Sequence, residues 1–301
     1  MSDPKDNLPA GYEPPAVWTP KQTYGGAFGA MNQPTSGARF DQDLPVGRHP
    51  LQLYSQGTPN GQKVTILLEE LLEAGHADAE YDAWLIDIFK GDQFGSGFVE
   101  INPNSKIPAL VDRSIEPALP VFESGSILVY LAEKFGAFLP TELRARTRTF
   151  NWLMWQMGTA PFVGGGLGHF YRYAPLRIEY AIDRYATEVK RQLHVLDTHL
   201  ASHEFLAGDQ YTIADMAVWP WQPGSLYGVY DAHAFLSVED YPHLLRWYRQ
   251  IAERPAVRRG RVVNRTTDAP GNFLRERHEA TDYLQILASQ PSEASTPRRP
   301  E

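Results

Sequence analysis

The apolar pattern of this chain changes once, and that change restricts the possible folds more than any other feature. Up to residue 135, short apolar runs typical of strands alternate with patterns of helical period. From residue 141 onward the strand signal disappears, and long helical patterns rich in Trp, Leu and Tyr remain. The 301 residues suffice for two domains. The sequence therefore predicts an α/β domain followed by an all-α bundle.

The first domain has a recognisable order of elements. Strand patterns occupy residues 51–55 and 81–87, with a helical pattern at 61–74 between them. Two short strands joined by a turn follow, which suggests an antiparallel hairpin, and then a second full helix. This order, βαβ and then ββα, is the thioredoxin-like arrangement. The later patterns lie at 98–101, 109–111, 120–122 and 124–135, and those of the bundle at 145–158, 178–203, 213–221 and 244–253.

Composition divides the chain into four parts. Residues 1–45 are rich in Gly, Pro, Asn and Gln and are predicted to form an extended arm. The thioredoxin-like domain is expected at 46–138 and the all-helical domain at 141–264. Residues 265–301 form a C-terminal extension, which is predicted to be partly disordered because it ends in QPSEASTPRRPE.

The chain contains no cysteine. This excludes disulfides, thiolate zinc sites and any mechanism with a protein thiol as nucleophile. If the protein performs thiol chemistry, the sulfur must arrive with a ligand. The nine histidines show no metal-binding spacing, so no metal is expected.

Charge and hydropathy limit the partners. A net charge of −8 argues against nucleic-acid binding over a broad surface, and no apolar run is long enough to span a membrane. The first residues lack the pattern of a secretory signal, so a cytosolic location is expected. The stretch 254–265 is rich in arginine. It suggests either an anion-binding or nucleic-acid-binding patch or, as we favour here, a solvated helix end followed by an extended segment.

The first candidate site is Thr58-Pro59-Asn60, where the first strand ends and the first helix begins. A helix N-terminus offers unpaired N–H donors and the positive end of the helix dipole. Together with the Thr58 hydroxyl and the Asn60 amide, it can lower the pKa of a bound thiol. Taken alone, the segment fits an ordinary helix cap at least as well.

Two further segments carry polar groups next to predicted strands. The Ile107–Pro108 bond directly precedes a strand and is a candidate cis peptide, which would leave the Ile107 backbone free to pair with a peptide-like ligand. Glu123 can bind an ammonium group, while Ser124 and the following helix N-terminus can bind a carboxylate. A trans bond and a simple capping pair are the alternatives for each segment in isolation.

Together the segments resemble the glutathione transferase superfamily. The pattern N-P-x-x-K-I/V-P-A-L is present at 102–110, and E-S-x-x-I-x-x-Y-L at 123–131. The resemblance extends over roughly residues 48–264 and includes Thr212-x-x-Asp215, a capping-box-like start for a buried helix. It implies glutathione as co-substrate, with a thioredoxin-like N-terminal and an all-helical C-terminal domain.

The subclass follows from the first site. Thr58-Pro59-Asn60, the arm and residues 161–171 resemble the longer bacterial nu-class members, which have disulfide-bond reductase activity. This implies a homodimer whose sites each accommodate two glutathiones or one glutathione disulfide. One departure is Gln156, because longer members can carry glutamine one place later.

Residue roles follow from the same resemblance. Thr58 and Asn60 would attend the sulfur atoms as catalytic groups, with Pro59 between them in the glutathione-binding loop. The Ile107 backbone, set by Pro108, would pair with the cysteinyl unit.

The ends of the tripeptide would be held elsewhere. Glu123 and Ser124 would bind the γ-glutamyl end, and Gln93 a glycyl or backbone group. Arg184 would contact the carboxylate of the second glutathione, and Asn32 of the arm would also bind ligand.

Three functions remain open at this stage. The leading one is reduction of small-molecule or peptide disulfides by bound glutathione thiols. The same thiolate would also conjugate electrophiles or reduce peroxides. A non-catalytic glutathione-binding module is the third, since fold alone does not separate them.

Overall fold

The computed structural model describes residues 15–20, 34–266 and 273–287. The predicted arm and C-terminal extension therefore lie partly outside the described residues.

A four-stranded mixed sheet forms the first domain, in the order β2-β1-β3-β4. Strand β1 pairs in parallel with β2 and antiparallel with β3, which pairs antiparallel with β4. Helix α1 connects β1 to β2, and α3 follows β4. The predicted βαβ–ββα order is confirmed. The bounds are β1 Leu51–Ser55, α1 Pro59–Glu73, β2 Tyr81–Leu85, α2 Ser96–Ile101, β3 Ala109–Asp112, β4 Leu119–Phe122 and α3 Ser124–Phe135.

Local sequence explains why α1 begins where it does. Thr58 is the N-cap, and Pro59 occupies the first helical position, where its missing N–H costs nothing. The apolar side chains at helical spacing, Val64, Leu67 and Leu71, are fully buried against the sheet and α3. Burial of this face orients the helix and leaves its N-terminus at the end of β1.

The second half is helical as predicted, but one segment was not foreseen. The helices are α4 Leu143–Pro161, α5 Glu179–Leu200, α6 Ile213–Val218, α7 Gly224–Tyr227, α8 Pro242–Ala252 and α9 Pro255–Gly260. Between α4 and α5, residues Phe162–Tyr173 form a π-helical segment. The predicted capping box of Thr212 and Asp215 is present at the start of α6, and burial raises the pKa of Asp215 to about 6.

The C-terminal part of the chain returns to the first domain. Helix α9 packs against α1 so closely that a Cβ on Gly260 would lie 2.7 Å from the Ile66 Cα. Beyond it, Arg277 forms an antiparallel bridge with Ala83 at the edge of β2, and the short helix α10, Leu284–Leu287, follows. The chain after the bundle thus covers the edge of the sheet.

Candidate functional site

A cavity of about 910 Å³ lies between the two domains. Eight of the ten predicted binding residues line it, although they come from four separate segments of the chain: Thr58, Pro59, Asn60, Gln93, Ile107, Pro108, Glu123 and Ser124.

Thr58 is placed to act both as a helix cap and as a residue of the candidate site. Its hydroxyl accepts a hydrogen bond from the Gly61 backbone N–H at 3.4 Å, so it caps α1. The same residue lines the cavity, at the positive end of the helix dipole. A ligand thiolate at this position would meet the helix N-terminus directly.

Asn60 is held by a residue from the other domain. Its Oδ1 accepts a hydrogen bond from the Trp221 indole N–H at 2.9 Å. Because the oxygen is thereby occupied, the Nδ2 group retains its hydrogens as donors. No sequence motif singles out Trp221, which the helical pattern places only at the end of a bundle helix.

Glu123 adopts a backbone conformation that non-glycine residues rarely take, with φ of 68°. Its side chain is exposed, and Oε1 accepts a hydrogen bond from the Asn104 amide at 3.4 Å. Strained backbone at a ligand-lining carboxylate is typical of functional sites.

Beneath this carboxylate lies a buried lysine that the sequence did not single out. Lys63 of α1 is 1% exposed, and its Nζ donates to Ser124 Oγ at 3.3 Å and to Gln156 Oε1 at 2.6 Å. Burial lowers the pKa of Lys63 well below its usual value, and the Glu123 charge partly opposes that shift. Gln156 is thus a hydrogen-bond acceptor for the lysine. Met157, one place later, lies beside Ser124, with its Sδ 4.0 Å from Ser124 Oγ.

The middle of the cavity presents backbone and amide groups. The Ile107–Pro108 bond is cis, as predicted, and both residues line the cavity. Gln93 is buried, and its amide donates to the Ile88 carbonyl at 3.5 Å.

Two predicted residues do not join this group. Arg184 lies on the exposed surface of α5 near Glu188, whose pKa it helps to lower, and does not line the cavity. Asn32 lies outside the described residues.

The helical domain supplies an aromatic wall that sequence reasoning missed. Trp221, Tyr230, Tyr248 and Tyr173 line this side. His169 stands edge-on to Phe170 with ring centroids 4.9 Å apart and also lines the cavity. These residues belong to four segments, so only the fold brings them together.

Within the described ranges, no group of three or more His, Cys, Asp or Glu side chains could hold a metal ion. Nor does any helix in that part of the chain have the length and apolar character needed to cross a membrane.

Comparison with known proteins agrees with this architecture. Residues 49–133 match the glutathione S-transferase N-terminal domain, and residues 170–255 match its C-terminal domain. The chain belongs to the glutathione S-transferase family, which confirms the predicted fold class and resemblance.

Three relatives illustrate the similarity. Disulfide-bond oxidoreductase YghU of Escherichia coli (strain K12) is 62% identical over 273 residues, which cover 90% of this chain and 95% of that protein. The structure of glutathione transferase YghU from Streptococcus pneumoniae, complexed with glutathione, has a TM-score of 0.82 and 54% identity, covering 85% of this chain and 98% of that one. A glutathione transferase from Burkholderia graminis, with two glutathione molecules bound per subunit, has a TM-score of 0.68 and 39% identity, covering 75% and 91%.

Proposed function

We propose that the protein is a glutathione-dependent disulfide-bond reductase that uses the thiols of bound glutathione. The observation that carries this proposal is the position of Thr58 and Asn60 at the N-terminus of α1, in one cavity with Glu123 and Ser124. Since the chain has no cysteine, the nucleophilic sulfur must belong to the ligand. The relationship to a disulfide-bond oxidoreductase supports the same activity.

In this proposal the tripeptide lies along the first domain. Glu123 binds the γ-glutamyl ammonium, and Ser124 with the N-terminus of α3 binds the adjacent carboxylate. Ile107, next to the cis Pro108, pairs through its backbone with the cysteinyl unit, and Gln93 reaches the glycyl end. The thiol then meets Thr58 and Asn60.

The reaction consists of two thiol–disulfide exchanges. The thiolate of the first glutathione attacks one sulfur of the substrate disulfide, forming a mixed disulfide and releasing the other half as a thiolate, which takes up a proton. The second glutathione thiolate attacks the glutathione sulfur of the mixed disulfide. Glutathione disulfide and the second substrate thiol leave, so two glutathiones are oxidised for each disulfide reduced. The protein contributes orientation and stabilisation of negative charge.

The proposed reaction also has consequences for ligand stoichiometry, subunit assembly and location. A cavity of about 910 Å³ has room for two glutathiones per site. The relative from Burkholderia graminis binds two glutathione molecules per subunit, which supports this stoichiometry. We propose a homodimer, in which the exposed Arg184 is available to a ligand held partly by the other subunit. We propose that Asn32 also binds ligand.

The thioredoxin-like domain is proposed to extend over residues 46–138 and the helical domain over residues 141–264. The proposed location is the cytoplasm, where reduced glutathione is supplied.

A rate comparison tests the proposal. Glutathione-dependent reduction of hydroxyethyl disulfide should exceed conjugation of a chlorodinitroaromatic substrate by the same preparation. Thr58→Ala and Asn60→Ala should each lower the reduction rate by about tenfold for every ~1.4 kcal/mol of lost thiolate stabilisation. Thr198→Ala, an exposed threonine on α5, is the matched control and should leave the rate unchanged.

Conjugation is the second candidate, and the aromatic wall favours it. Trp221, Tyr230 and Tyr248 offer an apolar surface suited to an aromatic electrophile. Efficient conjugation together with no disulfide reduction would replace the first proposal by this one. Neither activity, with glutathione still bound, would indicate a binding module.

A further inference from the structure

The arginine-rich stretch around α9 divides into two kinds of residue. Arg254 forms a bidentate ion pair with the buried Glu70 at 2.6 and 2.7 Å, and Arg259 donates to the buried Glu69 at 2.8 Å. Arg258 pairs with Glu253. These arginines hold α9 to α1 or stay in a surface pair, so the prediction of a solvated segment is wrong for Arg254 and Arg259.

Arg261 behaves differently. Its side chain makes no hydrogen bond or ion pair with any residue of the described ranges, and it lines the cavity. The adjacent aromatic surface is Tyr248, whose pKa is raised by burial and drawn down by the Arg261 charge. An exposed guanidinium facing a ligand cavity is a ready partner for an anion.

The charges lining the cavity are unbalanced. Lys106 and Arg261 contribute two cations, whereas Glu123 is the one carboxylate among the described lining residues. The chain as a whole carries a net charge of −8. Cations are therefore concentrated at this cavity against the overall charge, which attracts anionic ligands.

The segment that carries Arg261 also lies close to the proposed sulfur position. The backbone N–H of Gly57, the residue before Thr58, donates to the Asn264 carbonyl at 2.7 Å. A Cβ on Gly57 would lie 2.5 Å from the Arg265 Cγ. The segment that carries Arg261 and Arg265 thus packs on the loop that precedes Thr58, whereas Glu123 belongs to the start of α3.

We infer that Arg261 forms a subsite for the half of the substrate disulfide that is not glutathione, and that it favours carboxylate-bearing disulfides. This inference rests on the proposed reductase function. Glu123 and Ser124 already provide for one glutathione, and Arg261 lies on a different segment. Here the Arg261 guanidinium meets a negatively charged substituent of the substrate near the reacting sulfur.

Three small disulfides that differ in charge test the inference: dithiodipropionate, with two carboxylates, hydroxyethyl disulfide, which is neutral, and cystamine, with two ammonium groups. For each, kcat/KM is measured at saturating glutathione and corrected for the uncatalysed exchange. The wild type should prefer dithiodipropionate over the neutral compound, and cystamine should be the poorest. High salt should reduce the differences in kcat/KM among the three disulfides, because partly exposed charges are screened.

Arg261→Gln should lower kcat/KM for dithiodipropionate by roughly fivefold, which is the size expected of a partly exposed charge contact. The value for hydroxyethyl disulfide should change by less than about twofold. Arg261→Glu should move the preference towards cystamine. Arg258→Gln, three residues earlier and paired with Glu253, is the matched control and should keep the wild-type order.

Equal losses for all three disulfides in Arg261→Gln would overturn the inference, since they would indicate a structural role. So would an effect confined to the KM for glutathione, which would assign the arginine to glutathione itself. If the wild type reduces none of the three, the proposed function has failed. If it reduces them without regard to charge, only the subsite has failed.

Discussion

Helix α1 buries charged side chains in both of its halves, but the partners of these side chains differ. The C-terminal half pairs them with opposite charges, and the N-terminal half with neutral groups. In the C-terminal half, Glu69 accepts hydrogen bonds from the Tyr81 and Tyr283 hydroxyls at 2.9 and 2.8 Å and from Arg259 at 2.8 Å. Arg277 lies beside it, with Nε 3.4 Å from Glu69 Oε1. Every buried charge there faces an opposite charge.

In the N-terminal half, Lys63 is as deeply buried, but its hydrogen-bond partners among the described residues are the neutral side chains of Ser124 and Gln156. A buried cation without a hydrogen-bonded anion is costly, because burial removes its hydration without replacing it by a counter-charge. Ser124 is where we propose that the γ-glutamyl carboxylate binds. One cluster therefore serves the fold, and we propose that a bound ligand completes the other.

The largest effect on stability is expected from a substitution that disrupts the paired cluster around Glu69. Arg277→Met should lower the free energy of unfolding by about 3–5 kcal/mol, because it leaves Glu80 without its buried partner and removes one of the two cations beside the buried Glu69. Urea unfolding measures this change. Arg275→Met, at an exposed position on the same segment, is the control and should cost under about 0.5 kcal/mol. Equal stability of the two variants would refute the structural role of the cluster.

Glu123→Ala tests the ligand side. Loss of a charge-assisted contact to the ligand ammonium should weaken glutathione binding by about 2–3 kcal/mol, as measured by calorimetry. Glu133→Ala, on the same helix and exposed, should bind normally. Unchanged affinity in Glu123→Ala would remove this residue from the site.

Lys63→Met distinguishes most clearly between a role in ligand binding and a role in stability. The variant should bind glutathione roughly tenfold more weakly, while its stability at neutral pH changes by no more than about 1 kcal/mol, since removal of a poorly compensated charge offsets the lost hydrogen bonds. A glutathione analogue that lacks the γ-glutamyl α-carboxylate should bind the variant and the wild type alike. A large loss of stability without loss of affinity would place Lys63 with the structural cluster.

The same lysine predicts a pH dependence. Its pKa is lowered in the folded state, so the unfolded chain binds more protons at pH values between the folded and the unfolded pKa. The Lys63 contribution to stability therefore becomes more favourable as pH rises through that window. Unfolding measured at a series of alkaline pH values should show this rise in the wild type relative to Lys63→Met, and parallel curves would contradict it.

Trp221→Phe should have the smallest effect. It removes the hydrogen bond to Asn60 Oδ1 while the aromatic wall is kept, so the reduction rate should fall by only about fivefold, equivalent to ~1 kcal/mol. Trp152→Phe, distant from the cavity lining, is the control. A rate equal to that of the wild type would show that the indole does not orient Asn60.

Local signals made much of the fold predictable. Helix α3 was predicted with its observed bounds, since its apolar period is regular and Gly136 ends it in the left-handed conformation. Seven of the eight cavity residues lie in three short motifs at strand or helix ends, whereas Gln93 was predicted only from the family resemblance.

Long-range contacts were not predictable in the same way. Lys63 and Gln156 are 93 residues apart, and the Arg277 guanidinium reaches the Tyr81 carbonyl across 196 residues. The π-helical segment Phe162–Tyr173 contains a glycine run without helical period, so its conformation depends on packing against Trp221 and Tyr230. Such contacts are decided by tertiary structure rather than by local sequence.

The central claim, that the site activates a thiol brought by the ligand, can be tested by titrating bound glutathione. The ultraviolet absorbance of the thiolate, followed against pH at saturating protein, reports the thiol pKa directly. We expect this pKa to lie clearly below that of free glutathione in the wild type and to return towards the free value in Thr58→Ala and Asn60→Ala. A bound thiol that titrates like free glutathione in all three proteins would contradict the account.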